Sequence, residues 1–229
     1  MDFFEEWKRN LESVKYIHAF LAEKEYVNEI FLHGAPVEEK HAYEVLAGIP
    51  LERFIDCICR LRPKSDFEKA DVPIFSNFEK SVIRVPELLS FAPQGLTFSE
   101  LGYQLMQCAN DVAQKKYGEN QSKLAELCGV AEIGKKRPRI VKLTAWGKYL
   151  VPLSPEVKLS IFKKMILRNA YLQCFICKAA KGPIHYKDTV ECLAPSNQKR
   201  RGSNVHYLMD FIFKGSKKEH ILRQIDWKV

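Results

Sequence analysis

The sequence predicts a mainly α-helical protein with short β-hairpins, built from modules packed against one another. Three observations carry that prediction. Apolar residues recur at three- and four-residue steps through most of the chain, the spacing of one helix face. Two short β-like runs, "VAEI" and "IVKLT", flank a basic turn, "GKKRPR", whose proline keeps it out of a helix. No long Gly/Ser linker and no low-complexity tract separates the parts, so the modules pack rather than swing.

Composition narrows the classes. The chain has 229 residues, 46% hydrophobic and 28% charged, which is globular rather than disordered. No apolar run reaches the roughly 18 residues of a membrane span. The opening "MDFFEEWKRN" places acids before any apolar stretch and is not a secretory signal, so cytoplasmic residence is expected. Seven scattered cysteines, an odd number, argue against an extracellular disulfide framework and for small buried residues. Charge is uneven. Residues 1–134 carry 15 Lys and Arg against 22 Asp and Glu, whereas residues 135–229 carry 21 against 6. The second part therefore has a positive field that attracts polyanions.

The elements follow in order. Residues 3–31 space Phe4, Trp7, Leu11, Val14, Ile17 and Leu21 as one helix face. Residues 38–61 read as two helices around the turn Ala47-Gly48-Ile49-Pro50, a helix-turn-helix pattern. Residues 62–96 hold Pro63, Pro73, Pro86 and Pro93 and two β-like runs, "VPIF" and "SVIRV", which predict a hairpin. Thr97 opens the capping box "TFSE" and a helix to about Lys116, ended by Gly118. A short helix over 120–128 stops at Gly129. The hairpin "VAEI"–"GKKRPR"–"IVKLT" and a helix capped by Thr144 complete a central module, 97–153. Ser154 and Pro155 begin a long helix to Gly182. "HYKDTVECL" predicts a second helix, Pro195 and Ser196 turn into a third, and 219–229 predicts a closing strand. The modules are thus 1–96, 97–153 and 154–229.

Two basic clusters are candidates for nucleic-acid contact. At the hairpin tip stand Lys135, Lys136, Arg137 and Arg139, where arginine suits a phosphate backbone or a minor groove. Gln121 and Lys123, on the helix before it, are candidate groove-facing partners. In "APSNQKRRGSNVHYLMDFIF", Lys199, Arg200 and Arg201 crowd the start of a helix whose N-terminus is already positive. An arriving phosphate relieves that crowding. Asn204, His206 and Arg201 are candidate readers of base edges.

No catalytic site or cofactor is called for. The sequence has no GxxxxGK[ST], GxSxG or HExxH motif. Cys174, Cys177, His185 and Cys192 are the residue types of a zinc set. Cys174 and Cys177 fall in an apolar helix with no turn following, so buried small residues are expected. A metal-dependent nuclease would have to draw on triplets such as Glu6-Trp7-Lys8 or Asp226-Trp227-Lys228, and none follows a convincing strand.

"KLAELCGVAEIGKKRPRIVKLTAWGKYL" resembles the third helix, wing and following helix of bacterial winged-helix modules, where a "LLGL-strand-turn-strand-LT-x-x-G-x-x-L" string recurs. "KRRGSNVHYLMDFI" resembles the "RR-x-S/T-x-V-x-x-L/W-x-x-W/I" helix of winged-helix modules in restriction- and defence-type proteins, with Leu208 or Phe211 where those carry Trp. The resemblance implies tandem winged-helix modules packed together. It also implies double-stranded DNA binding, by a transcription regulator or by the recognition subunit of a restriction or defence system. The acidic first half would then face a protein partner or a second copy. "LTAWGKYL…SPEVKLSIFKKMIL" also resembles docking regions appended to ATPases, which implies the alternative of a protein-docking module.

Overall fold

The computed structural model describes residues 50–60, 67–106 and 110–228, and the expected helix over 3–31 and the first helix of 38–61 lie outside them. Over the described residues the protein is mainly helical, with a small antiparallel sheet of three strands and a two-stranded parallel pair.

The first described helix, α1, spans Leu51–Arg60. A single π-turn over Lys80–Arg84 leads into α2, Val85–Ser90. Strand β1 (Leu96–Thr97) precedes α3 (Phe98–Met106) and α4 (Asp111–Leu127). Strands β2 (Ala131–Ile133) and β3 (Ile140–Leu143) form the hairpin, in the order β1-β3-β2. Ala131 pairs with Leu143 and Ile133 with Val141, while Leu96 pairs with Val141 on the other side. Helix α5 is Ala145–Leu150 and α6 is Pro155–Met165. After a 3₁₀ turn, α7 covers Ala170–Ala179, and α8 is the 19-residue Pro195–Phe213. Strand β4 (Ile184–His185) pairs in parallel with β5 (Ile225–Asp226).

The caps read from sequence are formed. Thr97 Oγ1 accepts from the Glu100 amide at 3.2 Å while Glu100 Oε2 accepts from the Thr97 amide at 2.7 Å. Thr144 Oγ1 accepts from the Gly147 amide at 2.9 Å, and Ser154 Oγ accepts from the Val157 amide at 3.4 Å. One continuous apolar core runs through both halves, from Phe54 and Leu101 through Trp146 to Phe162, Phe175 and Leu208. Burying each such large side chain contributes roughly 1.5–3 kcal/mol before entropy is subtracted.

Five expectations are corrected. The hairpin expected in 62–96 is absent from the described residues: "VPIF" is irregular and "SVIRV" is helical. Its β-branched residues look strand-like, yet Val82, Val85 and Leu89 repeat at helical spacing and are buried. Packing decides over propensity. The second helix of the central pair begins at Asp111, so Gly118 lies inside it rather than at a helix end. Asn110 Oδ1 caps α4 by accepting from the Ala113 amide at 2.9 Å, and Gly118 sits inside the helix. The long helix expected over 154–182 is broken at Asn169, which caps α7 by accepting from the Leu172 amide at 2.9 Å. "HYKDTVECL" is not a helix. It supplies the end of β4 and one 3₁₀ turn, Lys187–Thr189. The closing strand shortens to Ile225–Asp226, so residues 154–228 contain no antiparallel hairpin.

Candidate nucleic-acid interface

Strands β2 and β3 hold out a short basic loop. The Gly134 amide donates to the Ile140 carbonyl at 2.8 Å, which closes the loop at its base. Beyond it Lys135, Lys136, Arg137 and Arg139 are all exposed. The loop leans toward α4 and the start of α3. Arg137, Pro138 and Arg139 line a cleft of about 730 Å³ with Lys115 and Glu119 of α4 and Ser99 of α3.

Helix α4 supplies the opposite wall. Lys115 and Lys116 are exposed, and Lys123 is half-buried. Glu119 stands among them. Its carboxylate takes Lys116 Nζ at 2.9 Å and Lys123 Nζ at 2.6 Å. Partial burial opposes ionisation of Glu119, but the hydrogen bonds from Lys123 and Lys116 outweigh it and hold the group down to about 2. Lys123 therefore lies on this face with its charge already engaged. Along the sequence Gly118 looks like a helix end, which hides Lys115 and Lys116; with the helix running over Asp111–Leu127 both lie on its exposed surface.

The second cluster is divided. Lys199 and Arg200 are exposed on the first turns of α8. Lys199 and His206 share a smaller cleft of about 310 Å³ with Ser203 and Trp227. The His206 ring stacks on Trp227 with centroids 4.4 Å apart, and its Nε2 lies 3.7 Å from Asp210. This cleft shares no lining residue with the one beside the hairpin.

Three candidates turn inward instead, and all grip one irregular segment, residues 69–77. Arg201 is only 7% exposed, and its guanidinium donates to the Lys69 and Val72 carbonyls. Asn204 brackets Phe75, accepting from its amide at 3.4 Å and donating to its carbonyl at 3.1 Å. Gln121 is fully buried. Its Oε1 accepts from the Ser76 and Asn77 amides at 3.3 and 3.1 Å and from Ser81 Oγ at 2.9 Å. Asn169 adds a fourth grip, donating to the Asp71 carbonyl at 2.7 Å. Irregular backbone in a core must find partners, and these side chains provide them. Arg201, Asn204 and Gln121 are thus clamps rather than groove readers.

Cys174 and Cys177 are buried on α7 and Cys192 is exposed. Among the described residues no group of three or more His, Cys, Asp or Glu is placed to hold a metal ion, and no helix is long and apolar enough to cross a membrane. Comparison with protein-family models, with curated proteins and with solved structures returns no match.

Proposed function

We propose that the central part of the chain is a winged-helix module that binds double-stranded DNA, with α4 as the groove-facing helix and the β2–β3 loop as the wing. The order helix, β1, α3, α4, β2, β3, with the sheet arranged β1-β3-β2, supports this reading. The observation that carries the reading is the cleft in which Arg137 and Arg139 meet Lys115 of α4. A loop and a helix that converge with cations on both walls can straddle a phosphate backbone while the helix enters a groove. Lys199 and Arg200 belong to a separate basic surface on α8 that extends the field. The chain acts by binding rather than by catalysis, in the role of a transcription regulator or of the recognition subunit of a restriction or defence system.

The test is anisotropy of a labelled duplex against protein at stepped salt. The affinity should fall as a power of salt concentration, with a slope of about 0.9 per phosphate neutralised. Replacing Lys135, Lys136, Arg137 and Arg139 together by Ala should lower that slope by about 3 to 4. No measurable binding to any duplex at low salt sinks the proposal.

One observation favours a second reading, a protein-docking module. Phe91, Tyr103 and Val112 are 87%, 61% and 79% exposed, unusual for large apolar groups. Absence of DNA binding, with association that is lost when Tyr103 and Val112 become Ser, supports docking instead.

A further inference from the structure

Cys59, near the end of α1, faces Cys177, near the end of α7, across the packing of those two helices. Their sulfurs lie 2.7 Å apart although the residues are 118 positions apart in the chain. A disulfide bond is about 2 Å long, so little movement separates these thiols from bonding. Their exposures differ. Cys59 is half-buried and open to a reagent in solvent, whereas Cys177 is 5% exposed. The Cys177 thiol donates its hydrogen bond to Cys59. That bond pulls the Cys59 pKa down, burial opposes it, and Lys218 and Lys181 assist while Asp56 works against them. Cys177 is pushed the other way, by the same hydrogen bond and by burial. One sulfur is thus an accessible nucleophile and the other a shielded resolving thiol.

We propose that Cys59 and Cys177 form a reversible disulfide, a redox-controlled clasp that ties α1 to α7. With a small-molecule disulfide such as oxidised glutathione as oxidant, the Cys59 thiolate attacks one of its sulfurs. The reagent's S–S bond breaks and one glutathione thiolate leaves. Cys177 then gives up its proton, and its thiolate attacks the Cys59 sulfur of the mixed disulfide and expels the second glutathione thiolate. Two protein thiols are oxidised, one disulfide is reduced, and the two protons end on the two glutathione thiols. A bond closing so long a stretch of chain restricts the unfolded state strongly and should raise the melting temperature by roughly 10 °C.

The experiment uses the full chain equilibrated in glutathione buffers from fully reduced to fully oxidised, quenched with an alkylating agent and mapped by peptide mass spectrometry. The expected result is a peptide pair linked through Cys59 and Cys177, accompanied by the higher melting temperature and dissolved again by dithiothreitol. The pair should persist in Cys192→Ser and vanish in Cys59→Ser, a half-buried position that tolerates the change. The wild-type map needs no variant, so misfolding cannot obscure it. Alkylation of both thiols in the oxidised sample overturns the clasp. A glutathione adduct left on Cys59 with Cys177 still reduced also overturns it, as does a bond that engages Cys174, Cys57 or Cys192 instead.

Discussion

The α-carbon of Gly118 lies against the carbonyl oxygen of Phe98, so close that a Cβ at Gly118 would fall 2.0 Å from it. Across the same crossing a Cβ at Gly102 would fall 1.8 Å from the carbonyl oxygen of Gln114. Helices α3 and α4 therefore meet backbone to backbone, each contributing the glycine that admits the other. The contact fixes the axis of α4 and thereby the wall that Lys115 presents to the hairpin loop.

Gly118→Ala should destabilise the protein by about 3 kcal/mol or more. The obstacle is backbone rather than the end of a flexible side chain, so the helices must separate. Urea unfolding followed by circular dichroism reads the effect. Gly182→Ala is the control, because a Cβ there meets nothing within 4 Å, and it should stay within about 0.5 kcal/mol of wild type. A Gly118→Ala protein as stable as the control would mean that the crossing is not this close.

Adjacent cations on α8 should separate cleanly by experiment. Arg201→Met removes a buried charge together with its two carbonyl bonds and strands the acceptors of Lys69 and Val72. The expected cost is about 2–4 kcal/mol of stability. The double substitution Lys199→Ala and Arg200→Ala touches two exposed groups and should leave the melting temperature nearly unchanged. It should lower the salt slope of DNA binding by no more than about 2. Equal thermal effects from the two variants would contradict the inward placement of Arg201.

Sequence periodicity located the central elements because each carries a local device: the Thr97 capping box, the proline-containing basic turn, and the Thr144 cap. What escaped was the meaning of residues whose role depends on distant partners. Gly118 read as a helix end because a glycine that permits a close crossing looks, along the chain, like one that stops a helix. "SVIRV" read as a strand because its β-branched residues suit one, and only burial of Val82 and Val85 against other helices makes it helical. Gln121, Arg201 and Asn204 have the chemistry of base readers. Nothing local announces that residues 69–77 run past all three and need their backbone groups satisfied. The basic hairpin tip remained legible because exposed charge needs no partner to be recognised.

Gln121→Leu tests the clamp on that segment. The substitution keeps the volume and abandons two donors, the Ser76 and Asn77 amides, whereas the Ser81 hydroxyl keeps the Asn77 carbonyl. Loss of about 2–4 kcal/mol is expected. The DNA affinity of the folded fraction should not change, because Gln121 is fully buried. Weakened DNA binding at undiminished stability would restore Gln121 to the binding face.

Glu119→Gln should strengthen DNA binding. The carboxylate engages Lys116 and Lys123 on the helix face assigned to the groove and sets a negative charge beside Lys115 and the hairpin arginines. Removing it releases two cations, so the affinity at low salt should rise several-fold and the salt slope should steepen by about 1 to 2. The same change costs a little stability, and its pH dependence has a definite sign. Glu119 titrates at about 2 in the folded protein, below its ordinary 4.5. The stabilisation from its ion pairs is complete above the ordinary value and disappears as the pH falls toward 2. The pairs are partly open to solvent, so that stabilisation is no more than about 1 kcal/mol. Wild type should therefore be slightly more stable than Glu119→Gln at neutral pH, and the two should converge as acid is added. Weaker or unchanged DNA binding by Glu119→Gln would remove α4 from the interface, because neutralising the acid that engages Lys116 and Lys123 favours a polyanion that lies there.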